Sequence, residues 1–272
     1  MKTYHNIHEA YFHTLADVYD NPDHIAEPRG QRTREKLDYG FRILNPKPEA
    51  IHTCDPERNK VIQDYTAKEV ELYNSCSNRV EDFIKASKFW GKLANPDGTV
   101  NSAYGYLLWR KRSHGNPNFE RHSCIQDAQG EYEVDKTECA RTPWEWAKQS
   151  LVSDKDTRQA IIRFSLPEHQ WVGNKDQTCT LHGLFLIRDN RLNLTITMRS
   201  NDLTLGLVYD LPWFVSLIEK MRSELFDVYP DLKVGTYTHI VHSLHIYDRD
   251  EDKILKMLGR GPRCQNDNQI VS

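Results

Sequence analysis

Two strand-like segments joined by a short turn constrain the fold more than any other feature of the sequence. The first is the apolar run 184–187, and the second, 192–198, alternates between apolar and polar residues with period two. The polar residues between them, 188–191, are typical of a turn. The pattern predicts a β-hairpin, which folds its two ends back side by side. Because Cys179 precedes the first strand and Arg199 follows the second, we expect these side chains to be neighbours.

A cysteine beside an arginine is a candidate nucleophile. The positive guanidinium favours the thiolate, which is the form that attacks carbon. For a single pair of this kind, a buried structural cysteine and a solvated arginine are the more frequent combination, so the pair alone does not establish catalysis. The sequence has six cysteines but no CxxC pair, and its polar start does not resemble a signal peptide. We therefore expect free thiols and a cytoplasmic protein.

The charge balance limits the classes of ligand. The 272-residue chain has a formal net charge of −3 and no apolar run of membrane-spanning length. A general nucleic-acid binder is more often basic, so we expect neither nucleic acid nor a membrane as a partner. Arg29, Arg158 and Arg199 lie in separate polar segments, and each alone is most simply a solvated charge. Together they would form a phosphate clamp, because guanidinium groups bind phosphate oxygens in pairs.

The remaining segments predict an α+β protein without regular βαβ alternation. Hydrophobic periodicity and cap residues predict helices over residues 5–20, 66–73, 79–92, 144–150, 154–159 and 211–226. Strand patterns cover residues 37–45, 161–164 and 237–247, and a turn is predicted at 95–98. The polar, arginine-rich stretch 21–36 has no predicted element.

Two carboxylates have both a structural and a functional interpretation. Glu69 follows Thr66 by three residues, which is the spacing of a capping box at the start of a helix. Asp210 directly precedes a predicted helix with Pro212 in its first turn, so it is a candidate N-cap. On this information alone, the capping roles are favoured.

Three histidines at spacing three, His239, His242 and His245, are the best candidates for metal ligands. The flanking β-branched and aromatic residues favour a strand. On a strand His242 faces away from the other two, so the three cannot converge on one ion. We expect no metal site.

Several segments resemble the thymidylate synthase family, in order, over residues 25–250. Residues 199–206 read RSNDLTLG and are similar to the family's RSxDxxLG signature, and Cys179 falls at the nucleophile position. The other matching segments are 243–247 for the sugar-binding HxY strand, 156–158 for the phosphate-binding D-S-R segment, and Tyr104-Gly105 with Trp109 for the YGxxW stretch.

One position separates the chain from the synthases themselves. Where those enzymes carry an asparagine that reads uracil, this chain has Asp210, which is typical of the deoxycytidylate and cytidylate hydroxymethylase branch. Residues 101–105 and 199–202 are also more similar to that branch. Two departures affect the site: Cys179 lies between threonines rather than in Pro-Cys-His, and Gln159 replaces the second arginine of the phosphate segment.

The resemblance implies one catalytic domain over residues 1–272 with the α+β thymidylate-synthase fold, in which helices cover a large mixed β-sheet at the interface of a homodimer. The implied catalytic residues are Cys179, Glu69, Asp210 and Tyr104. The implied nucleotide ligands are Arg29, Arg158 (reaching across the dimer), Arg199, Ser200, Asn201, His245 and Tyr247. The implied folate ligands are Asp202, Trp90, Leu205 and Gly206.

The activity implied by the resemblance is transfer of a hydroxymethyl group from 5,10-methylenetetrahydrofolate to carbon 5 of dCMP or CMP. The alternatives are a cytidylate 5-methylase, in which folate also supplies hydride, and a non-catalytic nucleotide- or RNA-binding relative. The polar residues 265–272 do not resemble the tail that seals the synthase site, which favours the hydroxymethyl product. Ser200 is what the deoxynucleotide enzymes carry, so we expect dCMP to be accepted at least as well as CMP.

Overall fold

The structure, a computed structural model, describes residues 1–111 and 141–261, and the chain folds as two compact units. The first unit combines Met1–Glu69, Thr195–Lys220 and the described part of Val234–Ser272. The second combines the described part of Val70–Leu194 with Met221–Lys233. Neither unit is therefore one continuous stretch of sequence. The C-terminal residues 265–272 lie outside the described residues, as do three of the cysteines.

The described residues form helices and strands in an irregular order along the chain. The helices are α1 (Ile7–Asp20), α2 (Pro56–Asn74), α3 (Val80–Ala86), α4 (Tyr104–Trp109), α5 (Pro143–Ser153), α6 (Val208–Glu224) and α7 (Glu251–Met257). The strands are β1 (Lys2–Tyr4), β2 (His24–Ala26), β3 (Thr33–Ile43), β4 (Ile161–Arg163), β5 (Thr180–Arg188), β6 (Arg191–Met198), β7 (Asn201–Asp202) and β8 (Lys233–Tyr247).

The strands form a mixed sheet. In the first unit, β3 pairs in parallel with β1 and antiparallel with β2 and β8, and β7 adds in parallel to β8. In the second unit, β4 pairs antiparallel with β5, which neighbours β6 in the sheet. A mixed sheet with helices confirms the predicted α+β class.

Helix α1 shows how the sequence builds the first unit. Asn6 caps the helix by accepting a hydrogen bond from the Glu9 amide at 2.9 Å. The buried residues recur at helical spacing: Ile7, Ala10, Tyr11, Thr14, Leu15, Val18 and Tyr19. The helix predicted over residues 5–20 is confirmed. Its Tyr11 hydroxyl donates to the Leu203 carbonyl at 2.7 Å and so helps to position the turn before α6.

The predicted hairpin is confirmed as β5 and β6. Asp189 and Asn190 join the strands with positive φ angles of 49° and 55°, as a two-residue hairpin turn requires. Cys179 directly precedes β5 and Arg199 directly follows β6, as the sequence predicts. The spatial contact between these two side chains stays a prediction.

The predicted start of the helix that carries Glu69 is wrong. α2 begins at Pro56, ten residues before Thr66, because Asp55 accepts two backbone hydrogen bonds there and caps the helix. Thr66 therefore lies inside the helix, and the capping box with Glu69 does not exist. The prediction that Glu69 completes a capping box is therefore wrong.

Other boundaries differ for local reasons. Residues 154–159 are not helical, because the side chains of Asp154 and Thr157 accept backbone hydrogen bonds and form tight turns instead. The predicted helix 79–92 is α3 followed by the 3-10 turn Lys88–Lys92. The arginine-rich stretch 21–36 contains β2 and the first residues of β3, which pairing with β8 stabilises. The elements predicted at 144–150, 161–164 and 237–247 are confirmed as α5, β4 and part of β8.

Candidate active site

The loop that leads to Cys179 is fastened by a segment before α4, within the second unit. Asn101 donates to Asn174 Oδ1 at 3.2 Å and to the Asp176 carbonyl at 3.1 Å. The Asp176 carboxylate accepts hydrogen bonds from both the amide and the hydroxyl of Ser102, the first at 2.7 Å. Ser102 and Asp176 are buried, so these bonds are shielded from water and hold the loop in place.

Tyr104 and Thr180 support the other side of the nucleophile. Thr180 Oγ1 donates to the Tyr104 hydroxyl oxygen at 2.9 Å, and both residues are buried. The Tyr104 ring stacks on Tyr73 with centroids 5.4 Å apart and meets Phe164 edge-on. Cys179 lies between the two supports and is half-exposed. A firmly held yet accessible thiol is what covalent catalysis requires.

Asp210 lies in the first turn of α6, directly after the π-helical turn Leu203–Leu207. Because α6 begins at Val208, Asp210 is not its N-cap, and the capping interpretation is wrong. Asn201 Nδ2 donates to Asp210 Oδ2 at 3.3 Å. Asp210 is half-buried. Burial raises the pKa of its carboxyl to about 7, and the Asn201 hydrogen bond opposes the rise.

Gly206 gives Asn201 and Asp210 the room to meet. A Cβ at position 206 would lie 2.2 Å from Asn201 Oδ1 and 3.5 Å from Asp210 Oδ2. A larger residue would therefore displace the amide that holds the carboxyl. Asn201 Oδ1 is itself buried, and the described residues give it no hydrogen-bond donor. It is positioned to accept a hydrogen bond from a ligand.

Asp202 organises the turn between β7 and α6. Its Oδ1 accepts hydrogen bonds from the amides of Thr204 at 2.6 Å and Leu205 at 3.2 Å. Within the described chain these hydrogen bonds use Oδ1, which leaves Oδ2 as an acceptor for N–H groups of a ligand. Leu205 is 52% exposed beside it and offers an apolar surface. A carboxylate beside an accessible apolar side chain fits the predicted folate site.

Arg58, which no sequence motif singles out, contacts the turn between β7 and α6. Its guanidinium donates to the Thr204 carbonyl at 2.8 Å and lies 5.6 Å from the centre of the Tyr209 ring. Arg58 precedes Glu69 by eleven residues on α2, which is three helical turns, so both lie on one face. The periodicity would have indicated this had the helix start been placed at Asp55.

His245 and Tyr247 lie on the same side of β8, two residues apart. Their rings meet edge to face with centroids 5.3 Å apart, and both residues are half-exposed. Both can therefore offer polar atoms to a sugar hydroxyl. The other two histidines of the predicted set differ from His245, since His239 is fully buried and His242 is exposed. Burial lowers the pKa of His239 to about 3, so it is neutral.

The predicted phosphate ligands lie on separate segments. Arg29 is exposed in the tight turn Pro28–Gly30, and Arg158 is exposed in the second unit. Arg199 and Ser200 are half-buried between β6 and β7. Their convergence on one phosphate stays a prediction.

The predicted site residues belong to separate units, and their convergence stays a prediction. Those in the second unit are Cys179, Tyr104, Arg158 and Trp90, of which Trp90 lies half-exposed in a 3-10 turn, edge-on to Phe83. The remaining predicted residues lie in the first unit. Among residues 1–111 and 141–261, no group of three or more His, Cys, Asp or Glu side chains is arranged to hold a metal ion. None of the helices in these ranges combines the length and apolar character needed to cross a membrane.

Comparisons with known proteins place these features in a family. The family model for thymidylate synthase matches residues 9–271. The deoxycytidylate 5-hydroxymethyltransferase of Enterobacteria phage T4 is 29% identical over 193 residues, which is 68% of this chain and 68% of the phage protein. The deoxyuridylate hydroxymethyltransferase of Bacillus phage SP01 is 34% identical over 244 residues, which is 88% of this chain and 56% of the phage protein.

The solved structures agree on the fold. Thermostable thymidylate synthase A from Bacillus subtilis superposes with a TM-score of 0.63 at 18% identity, over 95% of this chain and 86% of that chain. Fold and matched sequence together define the class of folate-dependent one-carbon transferases that act on nucleotides. The chain belongs to the thymidylate synthase family.

Proposed function

We propose that this protein is a (deoxy)cytidylate 5-hydroxymethyltransferase. The observation that carries the proposal is the half-buried carboxyl of Asp210, whose Oδ2 accepts a hydrogen bond from Asn201 and whose pKa is raised by burial to about 7. Cytosine presents an amine donor beside a bare ring nitrogen. A protonated carboxyl complements this pair, because its O–H donates to the ring nitrogen while its other oxygen accepts from the amine. The similarity to the phage T4 deoxycytidylate enzyme supports the same base.

Cys179 starts the proposed reaction. Its thiolate bonds to carbon 6 of the pyrimidine, and the displaced electron pair makes carbon 5 nucleophilic. The shared proton passes from Asp210 to the ring nitrogen and stabilises the added electron density. This carboxyl therefore both selects the base and assists the covalent step.

Carbon 5 then receives its new group, for which 5,10-methylenetetrahydrofolate supplies the one-carbon unit. Loss of the carbon-5 proton and departure of tetrahydrofolate, which breaks its bond to the transferred carbon, leave an exocyclic methylene on the pyrimidine. Water then adds to this methylene as Cys179 leaves. Glu69 is buried on α2 and is proposed to orient this water and to move protons. Asp202 and Leu205 are proposed to hold the folate, with Trp90 stacking near it.

The nucleotide is proposed to bind through its phosphate and sugar. Arg29 and Arg199 bind the phosphate together with Ser200, and Arg158 reaches in from the second subunit of a homodimer. His245 and Tyr247 bind the sugar hydroxyl. Because Ser200 matches the deoxynucleotide enzymes, dCMP is expected to have a specificity constant at least equal to that of CMP.

Tritium release from carbon-5-labelled dCMP, in the presence of methylenetetrahydrofolate, tests the proposal. The wild-type protein is expected to release tritium, and Cys179→Ser to lose the release by several orders of magnitude while still binding dCMP. Cys76→Ser is the matched control, since Cys76 is also half-exposed, and it is expected to retain activity.

Labelled dUMP is the decisive comparison for the base. Release from dCMP but not dUMP supports the cytosine assignment, whereas preference for dUMP would place the protein with the phage SP01 enzyme's named substrate. Near-normal release by Cys179→Ser would refute the covalent mechanism. If the wild-type protein releases no tritium from either nucleotide, the alternative of a non-catalytic nucleotide-binding member of the family is favoured.

A further inference from the structure

We infer that Arg249 is a positioning residue that ties the turn carrying Arg29 to Tyr247, and so orders the nucleotide-binding surface before the nucleotide arrives. The inference rests on the proposed roles of Arg29 at the phosphate and Tyr247 at the sugar. Arg249 belongs to no motif of the family resemblance and lies just beyond the end of β8, in the 3-10 turn Asp248–Asp250.

The first contact is with the sugar-binding tyrosine. The Arg249 guanidinium carbon lies 4.1 Å from the centre of the Tyr247 ring. This separation is well within the ~6 Å reach of a cation–π interaction. The ring of His245 meets the Tyr247 ring edge-on. Tyr247 thus contacts both a cation and an imidazole, and these contacts restrict the orientation of its ring.

The second contact is with the turn that carries Arg29. Arg249 Nη1 donates to Gln31 Oε1, and the Gln31 amide closes the turn by donating to the Pro28 carbonyl at 3.2 Å. Within the turn, Arg29 has a φ of +55°. A residue with a Cβ adopts this left-handed conformation only when its surroundings hold it there. Arg249 stabilises this turn conformation through its hydrogen bond to Gln31.

Neighbouring ion pairs aim Arg249 at this turn. Asp248 binds Arg32 Nε at 3.1 Å and Arg34 Nε at 3.0 Å, and its amide donates to the Arg32 carbonyl at 3.1 Å. These contacts fix the residue before Arg249 to the start of β3. The Arg249 side chain therefore joins the Tyr247 ring to Gln31 from a backbone position that neighbouring contacts hold in place.

The charge of Arg249 adds a reason for phosphate dependence. Arg249 and Arg29 are both exposed cations at the ends of one short chain of contacts. Their positive charges favour an anionic ligand at this surface. A nucleotide with a phosphate gains from the preformed arrangement, whereas the nucleoside gains only through Tyr247.

Arg249→Ala is the variant that tests the inference, and Arg260→Ala is its matched control. Arg260 also has its guanidinium over a tyrosine, 5.9 Å from the Tyr19 ring, and it pairs with Asp20 at 2.6 Å. Arg249→Ala is expected to raise the Kd of dCMP about tenfold, or ~1.4 kcal/mol. The affinity for deoxycytidine is expected to fall clearly less than that for dCMP. The kcat at saturating dCMP is expected to stay within about twofold of the wild-type value.

Gln31→Leu separates the two contacts. Gln31→Leu is expected to lower the affinity for dCMP by part of the amount seen in Arg249→Ala, and to leave the affinity for deoxycytidine unchanged. The variant that combines both substitutions is expected to bind dCMP no more weakly than Arg249→Ala alone. Arg249→Lys is expected to recover part of the affinity. A fall in kcat without a rise in Kd, or equal effects of Arg249→Ala and Arg260→Ala, would overturn the inference.

Hydrogen exchange in the ligand-free protein distinguishes this failure from failure of the proposed function. Arg249→Ala is expected to accelerate exchange of the Gly30 and Gln31 amides, and Arg260→Ala to leave it unchanged. If the wild type binds no cytidine nucleotide, the proposed function fails, and the exchange still decides whether Arg249 holds the turn. Unchanged exchange in Arg249→Ala would show that it does not.

Discussion

At the scale of single residues, the proposed recognition of cytosine depends on the charge state of Asp210. The sequence alone favoured a helix cap for this residue, because an aspartate before a Pro-containing helix is a common cap. The structure begins α6 at Val208, three residues before the predicted start, and places the carboxyl beside Asn201. This contact depends on the room that Gly206 leaves between the two side chains, which hydrophobic periodicity does not reveal.

Nucleotide binding by the wild-type protein is expected to take up a proton above pH 7. Because the pKa of Asp210 is raised to about 7, the free protein carries the proton that the cytosine ring nitrogen needs only below that pH. Above it, the dCMP Kd is expected to rise by up to about tenfold per pH unit. Calorimetry in buffers of different ionisation enthalpy measures the uptake. Equal proton uptake by Asp210→Asn would assign it to another group.

The same carboxyl is expected to affect folding stability. In the unfolded chain its pKa is near the ordinary value of 3.8, and burial raises it to about 7 in the folded protein. The folded state therefore binds the extra proton between these values, and its stability advantage is lost as the pH rises through 7. Asp210→Asn lacks this loss. The Tm of Asp210→Asn relative to the wild type is expected to increase from pH 5 to pH 8. A constant or shrinking difference in Tm would contradict the raised pKa of Asp210.

At the scale of elements, the sequence predicted strands and hairpin better than helix starts. The hairpin β5–β6 has a period-two pattern and a turn with two residues suited to positive φ, so its signal is local. The predicted start of α2 is wrong because Asp55 and Pro56 begin the helix, and Arg58 therefore lies outside the predicted element. The support of Cys179 by Asn101, Ser102 and Tyr104 joins segments more than 70 residues apart, so residue spacing could not predict it.

Close packing of α4 against the end of α2 is expected to make Gly105 irreplaceable. A Cβ at this position would lie 1.7 Å from the Tyr73 carbonyl oxygen, so backbone must move. Gly105→Ala is expected to lower the free energy of unfolding by about 3 kcal/mol, the upper end of overpacking costs. Gly261→Ala is the control, since nothing lies within 4 Å of its Cβ. Denaturant unfolding compares them, and equal stabilities would show that the helices pack more loosely.

At the scale of the whole molecule, the family assignment rests on order along the chain rather than on any one site. The motifs span both units, and the family match covers residues 9–271. A single catalytic domain, a homodimer and the role of Arg158 stay predictions, because they depend on how separate parts assemble. Composition and periodicity carry no information on that assembly.

Subunit mixing tests the assembly. Arg158→Ala and Cys179→Ser are each expected to be inactive alone, yet a mixture is expected to regain up to about a quarter of the wild-type activity, since one site of each hybrid dimer keeps both groups. Activity after proven subunit exchange is the measurement, with mass spectrometry of the dimers as the control. No recovery would place Arg158 in its own subunit's site or outside any site.

The identity of the product tests the central claim most directly. Wild-type protein incubated with dCMP and methylenetetrahydrofolate is analysed by mass spectrometry for the nucleotide, and by absorbance for the folate. We predict 5-hydroxymethyl-dCMP and tetrahydrofolate in equal amounts, because water rather than hydride adds to the methylene carbon. A 5-methyl product with dihydrofolate accumulating in step with turnover would contradict the account and make the protein a cytidylate methylase.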